Sequence, residues 1–305
     1  MGNLLIVVIY TEDILACTTV TSLLKVDSTY LRDIAIYFYV NGKKDFRDEL
    51  RKMFSNRCKY LHTFYDGKNR GIVYAYKKAI MEEGKNFEWI TFLDQDSVFD
   101  EKFVKTVIRL DEYPLDHSTM AVAPVVKTQG HIPMSPLFKM RVRRLNALGV
   151  DTKDGIPISP SRIFCGMAKT YVSGLGYPTC INSMTTFRSG FLLEMAPSFP
   201  VDFFMDGFDN WLFYRIHKMD LKFYILEDVI VHHHISVANP KITDTYWARE
   251  FMSLINTSRI SFTFFPLAAL RFIWRLFRVI WQTKDIRHLN LMRIYSKYRL
   301  LKKDL

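Results

Sequence analysis

Apolar runs of strand length alternate with amphipathic stretches over the first hundred positions. Leu4–Tyr10 and Ile34–Val40 are nearly unbroken apolar runs, the second stopped by the turn pair Asn41-Gly42. Tyr60–Tyr65 and Glu88–Leu93 read as two more strands. Between them, Glu12–Leu24, Lys44–Ser55 and Ile72–Glu83 have helical spacing. Strands alternating with helices predict a mostly parallel sheet covered on both faces, an α/β architecture. Further along, Phe103–Arg109 predicts a helix and Met120–Val126 a strand. The stretch from about His131 to Pro178 is rich in Pro, Gly and Ser and holds the basic knot Arg141-Val142-Arg143-Arg144, which predicts a long flap. Leu212, Phe213 and Ile216 mark the buried face of a short helix with Asp209 as its N-cap, and Val229–Val231 reads as a strand entering His232-His233-His234.

The strand Glu88–Leu93 ends in Asp94-Gln95-Asp96-Ser97. Side chains two apart on a strand point the same way, so Asp94 and Asp96 are expected to project together from its end. Two adjacent carboxylates repel and call for a cation; a hard divalent ion that also binds substrate phosphates meets that need. Ligands of open parallel sheets sit beyond the carboxyl ends of the strands, where these acids lie.

Composition narrows the class. The chain has 305 residues, 49% apolar and 15% aromatic, enough for a large core and too many for a disordered chain. Cys17, Cys58, Cys165 and Cys180 have no metal-site spacing and fit a reducing compartment. The apolar start lacks a basic leader and reads as a first strand; no run is long enough to span a membrane. The net charge of +11 is uneven: residues 241–305 hold 13 Lys/Arg against 4 Asp/Glu. Anionic surfaces are the expected partners of this tail, whereas the acid pairs of the body argue against nucleic acid.

Taken in order, the motifs resemble family 2 glycosyltransferases of the GT-A fold, closest in style to rhamnosyltransferase-like enzymes of bacterial surface polysaccharide (O-antigen or capsule) assembly. The resemblance is carried by the first strand with Tyr10-Thr11-Glu12, Asn69-Arg70-Gly71 with Ala75, Phe92-Leu93-Asp94-Gln95-Asp96-Ser97, Phe204-Met205-Asp206-Gly207-Phe208-Asp209 with Arg215, and His233-His234-Ile235-Ser236. It implies a Rossmann-like GT-A catalytic domain over 1–240, with a donor half to about 126 and an acceptor half from about 127, and a helical segment over 241–305. It implies inverting, metal-dependent transfer of a sugar from a nucleotide-sugar, dTDP-rhamnose or a UDP-hexose, to a glycan or lipid-linked glycan. Mg2+ or Mn2+ would be held by Asp96, with Asp94 and His233 or His234 contributing, and Asp94 would contact the donor ribose. Thr11, Glu12, Asn41, Asn69, Gly71, Asp94 and Gln95 would bind the nucleotide-sugar. Asp209, or alternatively Asp206, would be the base that takes the acceptor proton, and Arg215 would pair with an acid of the site.

Three departures stand out. Val40 occupies the place of a nucleotide-contacting aspartate, with Asn41 as its substitute. Tyr76-Lys77-Lys78 replaces an Arg-Asn pair, leaving a lysine either near a phosphate or facing solvent. Ile181-Asn182-Ser183 replaces a Thr-Ser-Gly wall. In the tail, Pro266–Trp281 places Arg271, Arg275 and Arg278 on one helical face among apolar residues and two tryptophans, the pattern of an in-plane membrane helix at the inner face of a bacterial membrane. Packing on a second subunit is the alternative. A nucleotidyltransferase and a non-catalytic membrane-binding module are the competing functions; the first lacks its Gly-rich basic loop in Thr11–Ser22.

Overall fold

A computed structural model describes residues 2–113, 115–128, 180–203 and 207–233, with positions 255, 256, 260, 273, 274, 277, 280 and 281. The expected flap, Asp206, His234 and most of the tail lie outside the described residues.

The strands are β1 (Gly2–Ile9), β2 (Ile34–Val40), β3 (Tyr60–Tyr65), β4 (Phe87–Asp94), β5 (Ser97–Val98), β6 (Thr119–Thr128), β7 (Thr186–Arg188) and β8 (Lys222–His233). They form one sheet in the order β3-β2-β1-β4-β7-β6-β8-β5. The β3-β2-β1-β4 half is parallel, as is the β6/β8 pair; β7 runs antiparallel between β4 and β6, and β5 antiparallel to β8. The sheet is therefore mostly parallel with two short antiparallel members. Strands of two or three residues are too short to leave an alternation in the sequence.

Along β1, Leu4, Ile6 and Val8 face one core, and Leu5, Val7 and Ile9 face the other. Burial on both faces explains the unbroken apolar run. The first core is closed by α4 (Ile72–Glu83), α6 (Ser189–Met195) and α7 (Phe208–Lys218). The second is closed by α1 (Thr18–Lys25), α2 (Ser28–Leu31), α3 (Arg47–Phe54) and α5 (Glu101–Ile108).

Four local expectations are corrected. The helix expected over Glu12–Leu24 is broken: Asp13 caps a single 3-10 turn, Ile14–Ala16, and Cys17 is extended before α1 begins. The strand before the acids ends at Asp94, and Gln95 and Asp96 form a turn rather than continuing the alternation. The N-cap of α7 is Gly207, at φ 97°, and Asp209 lies in the first turn. The expected Val229–Val231 strand is the last part of the much longer β8, whose register against β6 shifts at Pro124/Val125. No helix among the described residues is long and apolar enough to cross a membrane.

Candidate functional site

In the β3-β2-β1-β4 half the chain steps outward from β1 in both directions, so the crevice at the carboxyl ends of β1 and β4 is the topological switch point. The Asp94–Ser97 turn stands there, and the break at Cys17 aims the start of α1 at it. Thr19 N–H donates to the Gln95 carbonyl at 3.2 Å. The Cys17 thiol and the Thr18 hydroxyl donate to the same oxygen, each at 3.3 Å. Thr19 Oγ1 donates to the Asp94 carbonyl and accepts from Ser97 N at 3.0 Å. Gln95 Oε1 accepts Tyr10 N at 2.9 Å, which fastens the turn to the end of β1. On the other side Ser183 Oγ accepts Asp94 N at 3.3 Å and pairs with Ser97 Oγ at 2.7 Å. These bonds fix the backbone and leave the Asp94 and Asp96 side chains half-buried in the crevice. Burial, with the nearby Asp96 charge adding to it, pushes the Cys17 thiol up to about 11, so it is a neutral donor beneath the turn.

Asp94 Oδ1 accepts the Tyr76 hydroxyl at 2.6 Å. Tyr76 lies on α4, is 1% exposed and stacks on Phe92 at 4.0 Å between centroids. Phe208, the first residue of α7, lies 6.3 Å from Tyr76 and 6.5 Å from Phe92 in near-parallel orientation. The aromatic column thus joins the end of β4 to the start of α7, which carries Asp209. Asp209 Oδ1 accepts Asn210 N at 2.8 Å. Arg215 is exposed over the Trp211 ring at 5.0 Å, and among the described residues it has no carboxylate partner.

The histidine run reaches the same corner through the sheet: β5 pairs with β8 so that Ser97 faces His233 and Val98 faces His232. Asp96 is therefore one residue from the His233 partner. His232 Nδ1 is buried without a hydrogen-bond partner among the described residues.

The expected nucleotide rim follows β1, β2 and β3. Thr11 Oγ1 donates to the Asp13 carbonyl at 2.9 Å and accepts Asp13 N at 3.1 Å; Glu12 is exposed. Val40 is 1% exposed and Asn41 is fully buried. Asn41 is a strut: its N donates to the Ile9 carbonyl at 2.7 Å and its Oδ1 accepts Arg70 N at 2.7 Å. Asn69 is exposed and its Oδ1 accepts Gly71 N at 3.1 Å, ahead of Gly71 at φ 81°. Arg70 pairs with Asp66 at 2.9 Å. Lys77 donates to the Pro197 carbonyl at 3.0 Å and Lys78 pairs with Glu82 at 2.5 Å, so both lysines are engaged away from the carboxylates.

In the Ile181-Asn182-Ser183 wall Ile181 is half-buried and Asn182 and Ser183 are buried, and the next residue, Met184, takes φ 66° with no exposure. A non-glycine residue held there is backbone strain beside the site. A cavity of about 520 Å³ lies at the opposite, amino ends of the strands, between Phe87, Met120, Arg188 and Leu221, away from the carboxylates.

Sequence reasoning missed Thr19, and it named Tyr76 and Ser183 only as departures from the family, without their contacts to Asp94. Thr19 left a faint signal, a polar residue on the buried face of an apolar helix. Among the described residues no group of three or more His, Cys, Asp or Glu could by itself hold a metal ion. Asp94 and Asp96 beside the β8 end suit a divalent cation that completes its shell with phosphate oxygens.

The model of glycosyl transferase family 2 matches residues 4–166. No curated protein sequence matches the chain. Among solved structures the chain is similar to the mannosyltransferase PcManGT from Pyrobaculum calidifontis in complex with GDP-Man and Mn2+, at 14% identity and a TM-score of 0.54, covering 99% of this chain and 83% of that one. It is also similar to GalNAc-T7 with UDP, GalNAc and Mn2+, at 13% identity and a TM-score of 0.52, over 85% of this chain and 47% of that one. S. aureus TarS 1–349 matches at 14% identity and a TM-score of 0.48, over 84% of this chain; the chain spans 65% of that structure's length.

Proposed function

The chain belongs to glycosyl transferase family 2, and from that premise we propose that it moves a sugar from a nucleotide-sugar to a glycan or lipid-linked glycan with inversion. The observation that carries the reading is the Asp94-Gln95-Asp96 turn, braced at the switch point of the sheet beside the β8 histidines and the start of α7. The donor diphosphate would lie across this crevice, with Asp94 toward the ribose and the rim at Thr11, Glu12, Asn69, Gly71 and Gln95 around the nucleotide. Asp96, with Asp94 and His233 or His234, would hold Mg2+ or Mn2+, which when bound neutralises charge on the departing diphosphate. Both PcManGT and GalNAc-T7 carry Mn2+ with a nucleotide or nucleotide-sugar.

Asp209 would accept the proton of the attacking acceptor hydroxyl, with Asp206 as the alternative base. A carboxylate in the first turn of a helix is kept ionised by the dipole, so an acceptor site that excludes water would be needed to raise its basicity. The donor is proposed as dTDP-rhamnose or a UDP-hexose, and the setting as surface polysaccharide synthesis on the inner face of a bacterial membrane.

The test is metal-dependent release of nucleoside diphosphate from a panel of UDP-, dTDP- and GDP-sugars. One donor is expected to react with Mn2+ or Mg2+ and to stop reacting on chelation. Asp96→Ala and Asp209→Ala are expected to lower transfer by at least about 100-fold each. Full transfer activity in either variant refutes its assigned role.

A further inference from the structure

We propose that Tyr76 is a positioning residue for the donor, acting through its hydrogen bond to the Asp94 carboxylate. This rests on the glycosyltransferase reading above. The position is 1% exposed and its ring stacks on Phe92 at 4.0 Å. Phenylalanine would supply the same packing. A buried hydroxyl costs stability unless it is bonded, so its presence has to be explained by its partner. That partner is Asp94 Oδ1 at 2.6 Å, and among the described residues the hydroxyl makes no other hydrogen bond.

The geometry does two things. It occupies one carboxylate oxygen from the core side, which holds the side chain in place at the end of β4. It also ties Asp94 to α4 through a buried hydroxyl donor. Phe208 continues the column to the start of α7, so the Asp94 side chain is held by rings that also seat the helix of Asp209.

The experiment uses the full chain and whichever panel donor the wild type consumes, with Mn2+ varied. Tyr76→Phe removes the hydroxyl and keeps the rings. A hydrogen bond to a charged group is worth about a tenfold change in affinity or more. The KM for the donor is therefore expected to rise about tenfold, with kcat changed less. Asp94→Asn, which keeps Tyr76 and removes the charge, is expected to raise the same KM. On an Asp94→Ala background, Tyr76→Phe is expected to add less than about twofold, because the two groups act as one unit. An unchanged donor KM in Tyr76→Phe, or a loss that multiplies fully with that of Asp94→Ala, overturns the inference and leaves the proposed function standing. A wild-type chain that releases no nucleoside diphosphate from any donor overturns both.

Discussion

The acids of the crevice are held by small hydroxyls. Thr19 is fully buried, and its single oxygen donates to the Asp94 carbonyl while accepting Ser97 N at 3.0 Å. Valine has nearly the same shape and no hydroxyl. Thr19→Val would leave the buried Ser97 N–H without its partner, at about 1–3 kcal/mol, while the Asp94 carbonyl keeps the Ser97 hydroxyl at 3.1 Å. Part of that is offset by the extra methyl, so a loss of about 1–3 kcal/mol in chemical denaturation is expected, with a higher donor KM from a loosened turn. A variant as stable as wild type shows that the turn is held by Ser183 and Gln95 alone. At this scale the sequence was informative where chemistry is local. The Asp94-Gln95-Asp96 acids are adjacent in the chain and follow an apolar strand, so they could be read. Ser183 supports Asp94 across 89 positions, and Tyr76 reaches it from a different helix. No local pattern encodes such a partner.

Elements are legible in proportion to how continuously they are buried. β2, buried at every position, matches its apolar run to the residue, and α4 matches its helical spacing. The misread helix at Glu12–Leu24 is different in kind. Asp13 accepts Leu15 N at 3.0 Å and closes a separate turn, and the freed N-terminus of α1 then binds the Gln95 carbonyl. A tertiary demand on a helix terminus overrode a periodic pattern. The start of α7 shows the same preference of backbone over side-chain capping. Gly207 takes φ 97°, and an added Cβ would lie 3.3 Å from the Asn256 Cβ. Asp209 follows two residues later, so the acid's position depends on a backbone conformation that only glycine adopts without strain. Gly207→Ala is expected to cost about 1–2 kcal/mol from the left-handed backbone, and more from crowding. If Asp209 is the base, kcat should fall more than the donor KM rises, since the donor crevice lies on β4. Thermal unfolding and steady-state kinetics on the variant check both. Equal stability and unchanged kcat would show that α7 tolerates a shifted start.

At the scale of the molecule, the sheet supplies a closed body and the end of the chain a different kind of surface. Asn256 is 4% exposed with its Nδ2 3.4 Å from the Phe203 carbonyl, and Ile260 packs on the core beside α7. Asn256 and Ile260 are therefore fastened to the body. Beyond them, helical positions Ile273, Trp274, Phe277 and Trp281 are 46%, 45%, 64% and 76% exposed. Their spacing places large, exposed apolar groups along one side of a helix. Residues 263–305 also hold 10 Lys/Arg against 2 Asp/Glu. Apolar groups open to solvent next to excess positive charge are the two components of binding to an anionic bilayer surface. Basic residues near such a surface contribute on the order of 1 kcal/mol each, and salt weakens that share while leaving the apolar share intact. A chain cut after residue 262 keeps the docked segment and loses both components. The full chain is expected to co-sediment with vesicles containing anionic lipid at moderate salt, to bind less at high salt, and to ignore neutral vesicles more than anionic ones. The shortened chain should remain folded, release nucleoside diphosphate from the soluble donor at a rate close to wild type, and stay in the supernatant. Equal sedimentation of the two chains rules out the tail as the membrane element. If the full chain ignores vesicles but elutes as a dimer that the shortened chain cannot form, the exposed tryptophan face belongs to a second subunit.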